Sequence, residues 1–537
     1  MTFRERIRII SQKKQNTILS ASLVLAITFA ISSILGLLRN RFLYARFFSC
    51  CVADLDVYNA AFRVPDLIFK LLVTGVLSAS FIPVFSSYLH KNKKVADEIA
   101  SSVINILLIV FIIISSIAFI FIKPISGLIA SGFSADQLIL MANLSRILLF
   151  AQIFFLLSNF VAAILQVNQI FIISALSPII YNLFIIISIF TLSPILGVYG
   201  VAIGAVVGAF FHLAIQIPVL YHQGFIYSRK INLKLTGVKE IFRLMIPRIL
   251  SLGLGEIEST VTLFFASSLT SGSISLLNLA LQFMYLPSRI FGTTVGQASL
   301  PTLSKNIARN ELGKFRNTVN KIIIQSLFIA IPISILILVE RVSIVRLLYG
   351  SQEFPWSATI LTARILAFLV PGIACQAIIQ ILIRAFYALH NTKVPFLISA
   401  ISLIIDVIAS FLFIHFTNLG VIGLAISASI GNLIQLFGLL IMFIKIVDGF
   451  DWPLMFSKFY KILISSTFMG IVSWLSIKFL DLFILDTTHV LPVLTLTVIS
   501  STIGLIVYVF SVIFLKMDEI KDYQNYYCKF KDFIFRK

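Results

Sequence analysis

Long apolar runs alternate along the chain with short polar connections. A helix that crosses the hydrocarbon of a bilayer needs about 20 mostly apolar residues. Segments of that kind occur at 17–38, 58–89, 97–122, 138–165, 170–193, 196–220, 238–269, 274–303, 318–339, 357–389, 395–416, 420–446, 458–480 and 490–515. The pattern predicts an all-α polytopic membrane protein of about fourteen transmembrane helices. The first run follows a basic leader, as a signal peptide would, yet it is too long and lacks a small-residue cleavage site, so it reads as a retained span.

Self-similarity at an offset of roughly 220 residues organises these spans. Val57 to Arg63 aligns with Leu276 to Gln282, Pro83 and Ser86 with Pro301 and Ser304, and Arg146-Ile147-Leu148 with Arg364-Ile365-Leu366. FIISALS at Phe171 to Ser177 matches FLISAIS at Phe396 to Ser402, and LGVYGVAI at Leu196 to Ile203 matches LGVIGLAI at Leu419 to Ile426. Two pseudo-symmetric six-span lobes are therefore expected over 1–220 and 238–446, joined by a cytoplasmic linker at 221–237. Spans 13 and 14 and a cytoplasmic tail, within 447–537, lie outside the duplication. Six is even, so the repeats are parallel, as in transporters that rock one half against the other.

Composition agrees with lipid as the solvent. Hydrophobic residues make up 59% of the 537 and charged residues only 12%, where a soluble domain carries about 25% charged. This excludes a water-soluble enzyme. The net charge of +20 does not indicate nucleic acid, because Lys and Arg sit mainly between the apolar segments, where they retain loops on the cytoplasmic side and meet anionic headgroups. Their distribution predicts both termini in the cytoplasm. One loop on the other side, with Arg39, Arg41 and Arg46, is the exception. Cys50, Cys51, Cys375 and Cys528 have no metal or redox spacing, and no enzyme or cofactor motif is present.

Charges inside a lipid-embedded helix cost a few kcal/mol or more, so those that persist face a cavity or a partner. Asn59, Arg63, Asp66, Lys70 and Thr74 share one face of the second span. Their repeat partners are Asn278, Gln282, Tyr285, Arg289 and Thr293. A duplicated polar stripe predicts a wet, positively charged vestibule with Lys70 and Arg289 as equivalent cations; the alternative is internal pairing or snorkelling. Arg248, Glu256 and Glu258 in span 7 are weaker candidates for the same lining, and Arg243 snorkels. Arg146 and Arg364 serve helix packing or substrate equally well. Asp406, with Asn432 and Gln435 on the next span, could form a small oxygen-lined sodium site, although one satisfied acid is the favoured reading.

Several ordered motifs carry a resemblance to a known family. They are Ile34 to Arg39, Asp56 to Asp66 (DVYNAAFRVPD), Gly75 to Ser86 (GVLSASFIPVFS), Phe264 to Ser273 (FFASSLTSGS), Leu300 to Ser304, and Arg384 to Ala388 with Thr392 and Pro395. Together the chain resembles the murein-precursor flippases, the MurJ/MviN family of the MOP superfamily. The resemblance implies a fourteen-helix transporter of the bacterial inner membrane. It implies alternating access that carries lipid II, the undecaprenyl-diphosphate-linked peptidoglycan precursor, from the inner to the outer leaflet, with cell-wall elongation or division machinery as a candidate partner. By the same likeness Arg39 matches a cavity arginine and Asp56 a family acid, whereas Ser33, Phe69 and Gln282 stand where the family carries arginine. Lys70 and Arg289 are the candidates to replace those lost charges. Other readings are a flippase for another lipid-linked oligosaccharide, a MATE-like drug exporter, and a non-transporting scaffold.

Overall fold

The computed structural model describes residues 18–74, 77–351, 353–447, 452–486 and 489–519. Within them the side chains of residues 18–27, 74, 78–79, 246–248, 250–252 and 454, Arg248 among them, lie outside the description. Among the described residues all named elements are helical, and ten helices are long and apolar enough to cross a membrane. Long spans are closed at their starts by local side chains. Asn92 accepts the Lys94 and Val95 amides at the head of Lys93–Ile129, and Ser134 with Gln137 forms a reciprocal capping box on Ala135–Val167, which satisfies donors that a helix start leaves open.

The polar spans are broken. Instead of one helix over 58–89, the second predicted span runs Val52–Ala61, Arg63–Phe69, a π turn at Lys70–Thr74, another at Leu77–Phe81, and Ile82–Leu89. The eighth runs Ser273–Ser288, a π turn at Arg289–Thr294, and Val295–Ala308. The tenth divides at Val370 into Trp356–Leu369 and Pro371–Ala388, since a proline has no N–H to continue the ladder. In both members of the aligned pair the cation, Lys70 or Arg289, is the first residue of a π turn. Single π turns inside α-helices occur frequently at functional sites.

The duplicated LGV motif also has a local cause. Gly197 and Gly420 precede Val198–Ala214 and Val421–Val447 and take φ of +57° and +54°. That backbone region suits glycine and strains other L-residues.

By packing, the chain divides into two compact units, Met1–Ser275 and Leu276–Lys537. The helix Thr236–Ser267, which opens the second sequence repeat, therefore packs with the first unit, against Lys93–Ile129 and Ile82–Leu89. In that unit Val198–Ala214 lies against Ile172–Thr191 and Ala135–Val167, where Leu213, Ile173 and Val161 meet, and a separate core that includes Phe81, Phe85, Phe111 and Phe160 joins the second span to Lys93–Ile129, Ala135–Val167 and Thr236–Ser267. In the second unit Leu312–Tyr349 is the hub for Pro371–Ala388, Trp452–Phe483 and Val490–Phe514. The last of these, Val490–Phe514, is fastened to it by polar contacts: the Tyr508 hydroxyl donates to the Phe328 carbonyl at 2.7 Å, and Ser500 bonds the carboxyl of the fully buried Glu340.

Burial is uneven in the way a lipid solvent requires. The apolar window of Pro371–Ala388 is 61% buried, but that of Lys393–Phe416 only 17% and of Val490–Phe514 22%. Apolar area of that extent is stable only against acyl chains.

Candidate functional site

Three predicted charges of the first unit converge. The Arg63 guanidinium places Nη2 2.8 Å from Glu256 Oε2, also donates to the Glu256 backbone carbonyl, and sends Nε to Thr260 Oγ1 at 2.8 Å. Lys70 Nζ lies 3.2 Å from Glu256 Oε1. Glu256 thus bridges two cations one above the other on the second span. The Arg63 and Glu256 side chains keep 11% and 15% of their surface, whereas Lys70 keeps 42%, so the lysine is the accessible end of the cluster. Asp66, between the two cations in sequence, accepts from Gln152 Nε2 at 2.8 Å. Two cations and two carboxylates therefore balance within this group, and each ion has a hydrogen-bonded partner, which is the condition for holding charge out of water.

Asp56 and Asn59 form a second station. The Asp56 carboxylate is buried and accepts both the Gly272 amide at 2.5 Å and the Ser275 amide at 2.8 Å. Asn59 Nδ2 donates to Ser275 Oγ at 2.9 Å, and the Tyr44 hydroxyl to the Ser275 carbonyl at 2.9 Å. Asp56 thus supplies from a distant part of the chain the anion that the start of Ser273–Ser288 favours. Gly272 has φ +96°, and a side chain there would press on Val52, so the close approach of this turn depends on glycine. Arg39 stands elsewhere in the unit: Nε and Nη2 donate to Asn40 Oδ1, and Nη1 to Asn182 Oδ1 at 3.1 Å.

In the second unit Asn278 is half-buried, while Gln282 and Arg289 are exposed. The Arg289 side chain has no ion pair or hydrogen bond among the described residues. Its π turn is pressed against Pro371–Ala388: a Cβ on Gly292 would fall 2.8 Å from the Ala377 Cα. Asp406 is buried with Oδ1 lacking a hydrogen-bond partner. Asn432 is occupied otherwise, accepting from Gln376 Nε2 at 2.6 Å, and Gln435 donates to Ser399. Among the described residues no group of three or more His, Cys, Asp or Glu side chains gathers to hold a metal. The Arg248 side chain, a predicted lining residue, lies outside the described residues.

Sequence reasoning passed over Gln152, Thr260 and Glu340. Gln152 and Thr260 are uncharged, on helices whose register against the second span no spacing rule fixes. Glu340 directly follows an apolar run and was open to being read as the end of a span, though an acid next to Arg341 is a signal that could have been weighed.

Comparisons with known proteins fit this architecture. A family model described as lipid II flippase MurJ matches residues 46–493. A probable lipid II flippase MurJ of Bdellovibrio bacteriovorus is 28% identical over 440 residues, covering 80% of this chain and 83% of that protein. One of Treponema pallidum is 27% identical over 458 residues, covering 84% and 85%. Among solved structures, a lipid II flippase MurJ in an inward closed conformation matches with TM-score 0.75 at 27% identity, covering 92% of this chain and 99% of that one. An inward-facing multidrug MATE transporter of the MOP superfamily shares the fold at TM-score 0.63 and 16% identity, covering 80% and 99%. With the family model covering most of its length, the chain belongs to the lipid II flippase MurJ family.

Proposed function

We propose that this protein moves lipid II from the inner to the outer leaflet of the bacterial cytoplasmic membrane by alternating access, with both termini in the cytoplasm. Transport of this kind breaks no covalent bond, so the protein acts as a carrier and not as an enzyme. The observation that carries the reading is the convergence of Arg63 and Lys70 on the single carboxylate of Glu256. A carboxylate offers two oxygens; a diphosphate offers more, at higher charge, and satisfies an arginine fork and an ammonium better. Glu256 is then the resident counter-ion that holds the cations in place until the substrate's diphosphate takes over, entering at the more exposed Lys70. Without such a site, passage of a charged sugar-peptide headgroup through hydrocarbon is prohibitive.

Arg39, Asp56, Asn59, Asp66, Arg248, Asn278, Gln282 and Arg289 complete the proposed substrate path, and Lys70 and Arg289 stand in for family arginines absent at Phe69 and Gln282. The driving force is either the membrane potential acting on the cations of the path or sodium at Asp406, whose Oδ1 has no hydrogen-bond partner; unchanged transport in choline would remove sodium alone.

The decisive experiment replaces a host's own lipid II flippase with this chain and depletes the original. Survival, with lipid II reaching the outer leaflet, is expected. Death of cells that carry the protein correctly inserted would shift the substrate to another lipid-linked sugar. Full activity of the Lys70→Ala, Arg289→Ala double variant would overturn the roles given to those cations.

A further inference from the structure

The segment between the sixth and seventh spans is bound along the second to fourth turns of Lys93–Ile129 in an alternating pattern. Asp97 accepts the Ile226 amide at 3.2 Å, Ser101 Oγ the Ser228 amide at 3.1 Å, and Ser102 Oγ the Asn232 amide at 3.2 Å. Asn105 donates to the Ser228 carbonyl at 2.9 Å, and Asn232 Nδ2 to Glu98 at 3.0 Å. The Lys230 and Lys234 amides are taken locally by Ser228 Oγ and Asn232 Oδ1. Every even-numbered amide from 226 to 234 is thereby satisfied. The amides of Tyr227, Arg229, Ile231 and Leu233 have no acceptor among the described residues.

What the strap leaves outward is a particular chemistry. Arg229, Lys230 and Lys234 are exposed, with Lys91 and Lys94 exposed beside them. Before and between the cations stand exposed apolar side chains, Ile226 at 66%, Leu233 at 60% and Ile231, while the Tyr227 hydroxyl turns back to donate to Asn105 Oδ1 at 2.5 Å. Ser101, which holds the centre of the strap, is eight residues from Ile109, the first of the strongly exposed apolar residues on the same helix, or about 12 Å at 1.5 Å per residue. The strap therefore runs at the edge of the apolar belt, where headgroups lie.

We propose that residues 226–234 form a binding site for the phosphodiester headgroups of anionic phospholipids. The open amides and the Arg229, Lys230 and Lys234 side chains take phosphate oxygens, and Ile226, Ile231 and Leu233 enter the acyl boundary. Backbone donors combined with cations suit an anion with several oxygens. Interleaved apolar side chains suit a lipid surface better than a soluble polyanion. The polar stripe from Asp97 to Asn105 is what makes this possible, because it consumes the opposite edge of the strap and fixes which side chains turn outward. The acids at the strap are Asp97 and Glu98, which hold it, and Glu240; against them stand Lys91, Lys93, Lys94, Arg229, Lys230, Lys234 and Lys239, so the charge of these residues together is positive.

Hydrogen exchange of the full chain in nanodiscs tests this. In phosphatidylcholine alone the Tyr227, Arg229, Ile231 and Leu233 amides are expected to exchange fast, and with one third phosphatidylglycerol at least threefold slower, the difference shrinking as salt rises. The variant Arg229→Gln, Lys230→Gln, Lys234→Gln is expected to lose that difference while keeping slow exchange at Ile226, Ser228 and Asn232, which certifies that the strap is still bound. Equal exchange in the two lipids overturns the proposal, as does a lipid effect that survives the triple variant. Equal protection by soluble polyglutamate, with phosphatidylcholine as the only lipid, overturns it in favour of an acidic protein partner. A nanodisc presents the same lipids on both faces, so these outcomes are independent of the transport reading and of sidedness.

Discussion

The second and eighth spans are the same sequence idea carried out twice with different endings. Each places a cation, Lys70 or Arg289, at the head of a π turn. In the first, a neighbouring helix supplies Glu256, and the cation joins Arg63 in a shared ion pair. In the second, the π turn is pinned by backbone contact with Pro371–Ala388 at Gly292, and the guanidinium is exposed. The polar stripe is thus a property of the repeat, whereas its electrostatic state is a property of what packs beside it. One copy has its charge neutralised by a neighbouring helix, and the other leaves its charge exposed.

That contrast makes predictions of decreasing size. Arg63→Ala should be the most damaging, because it leaves Glu256 with only the partly exposed Lys70. Loss of one partner of a buried pair costs about 3–5 kcal/mol, read as a large fall in the thermal midpoint together with loss of complementation. Adding Glu256→Gln should recover much of the stability and none of the transport. If Arg63→Ala alone melts like the parent, the pairing has no structural weight and the contrast fails. Gly292→Ala should come next. Its methyl meets the Ala377 Cα at 2.8 Å, an overpacking of about 1–3 kcal/mol, whereas Gly36→Ala, with 3.9 Å to Asn182 Nδ2, should leave the midpoint where it is.

Asp56→Asn turns one of two acceptors toward a backbone amide into a donor, and should cost about 1–3 kcal/mol. Gly197→Ala and Gly420→Ala should each cost about 1–2 kcal/mol through backbone strain alone, since neither has an atom within 4 Å of the added methyl. Unequal losses would separate the two repeats at that turn. Smallest in stability is Arg289→Ala, an exposed change worth under about 0.5 kcal/mol. Its expected effect is on transport, so a normal midpoint with impaired complementation would sharpen the difference between the copies.

Much of this was legible in the residues. The apolar runs gave the helical membrane class because lipid tolerates no unsatisfied backbone and selects long helices. The LGV repeat was visible as a string, and its cause, a left-handed glycine at each start, emerged from the backbone. The second-span stripe was legible as one face. That Glu256 is its partner was not, because the register between two helices distant in sequence is set by packing of side chains such as Gln152 and Thr260 and leaves no periodic trace. The breaks in the second and eighth spans were only half legible: Pro65, Gly75 and Pro83 in the one and Pro287 in the other allow bends, but a π turn keeps the apolar composition of the helix around it and leaves no mark of its place.

The π turns have a consequence for anyone who edits these helices. An α-helix turns roughly 100° per residue, and a π turn absorbs one residue beyond the α repeat. Removing a single amino acid from Lys70–Thr74 would therefore close the ladder to regular α-helix and leave the segments on either side close to their present phase, with hardly any shortening. The same deletion made within Ile82–Leu89, before Phe85, has no spare residue to take up and would turn Phe85 by about 100° out of the core, so the pair of deletions would report on the phase of the helix independently of its length.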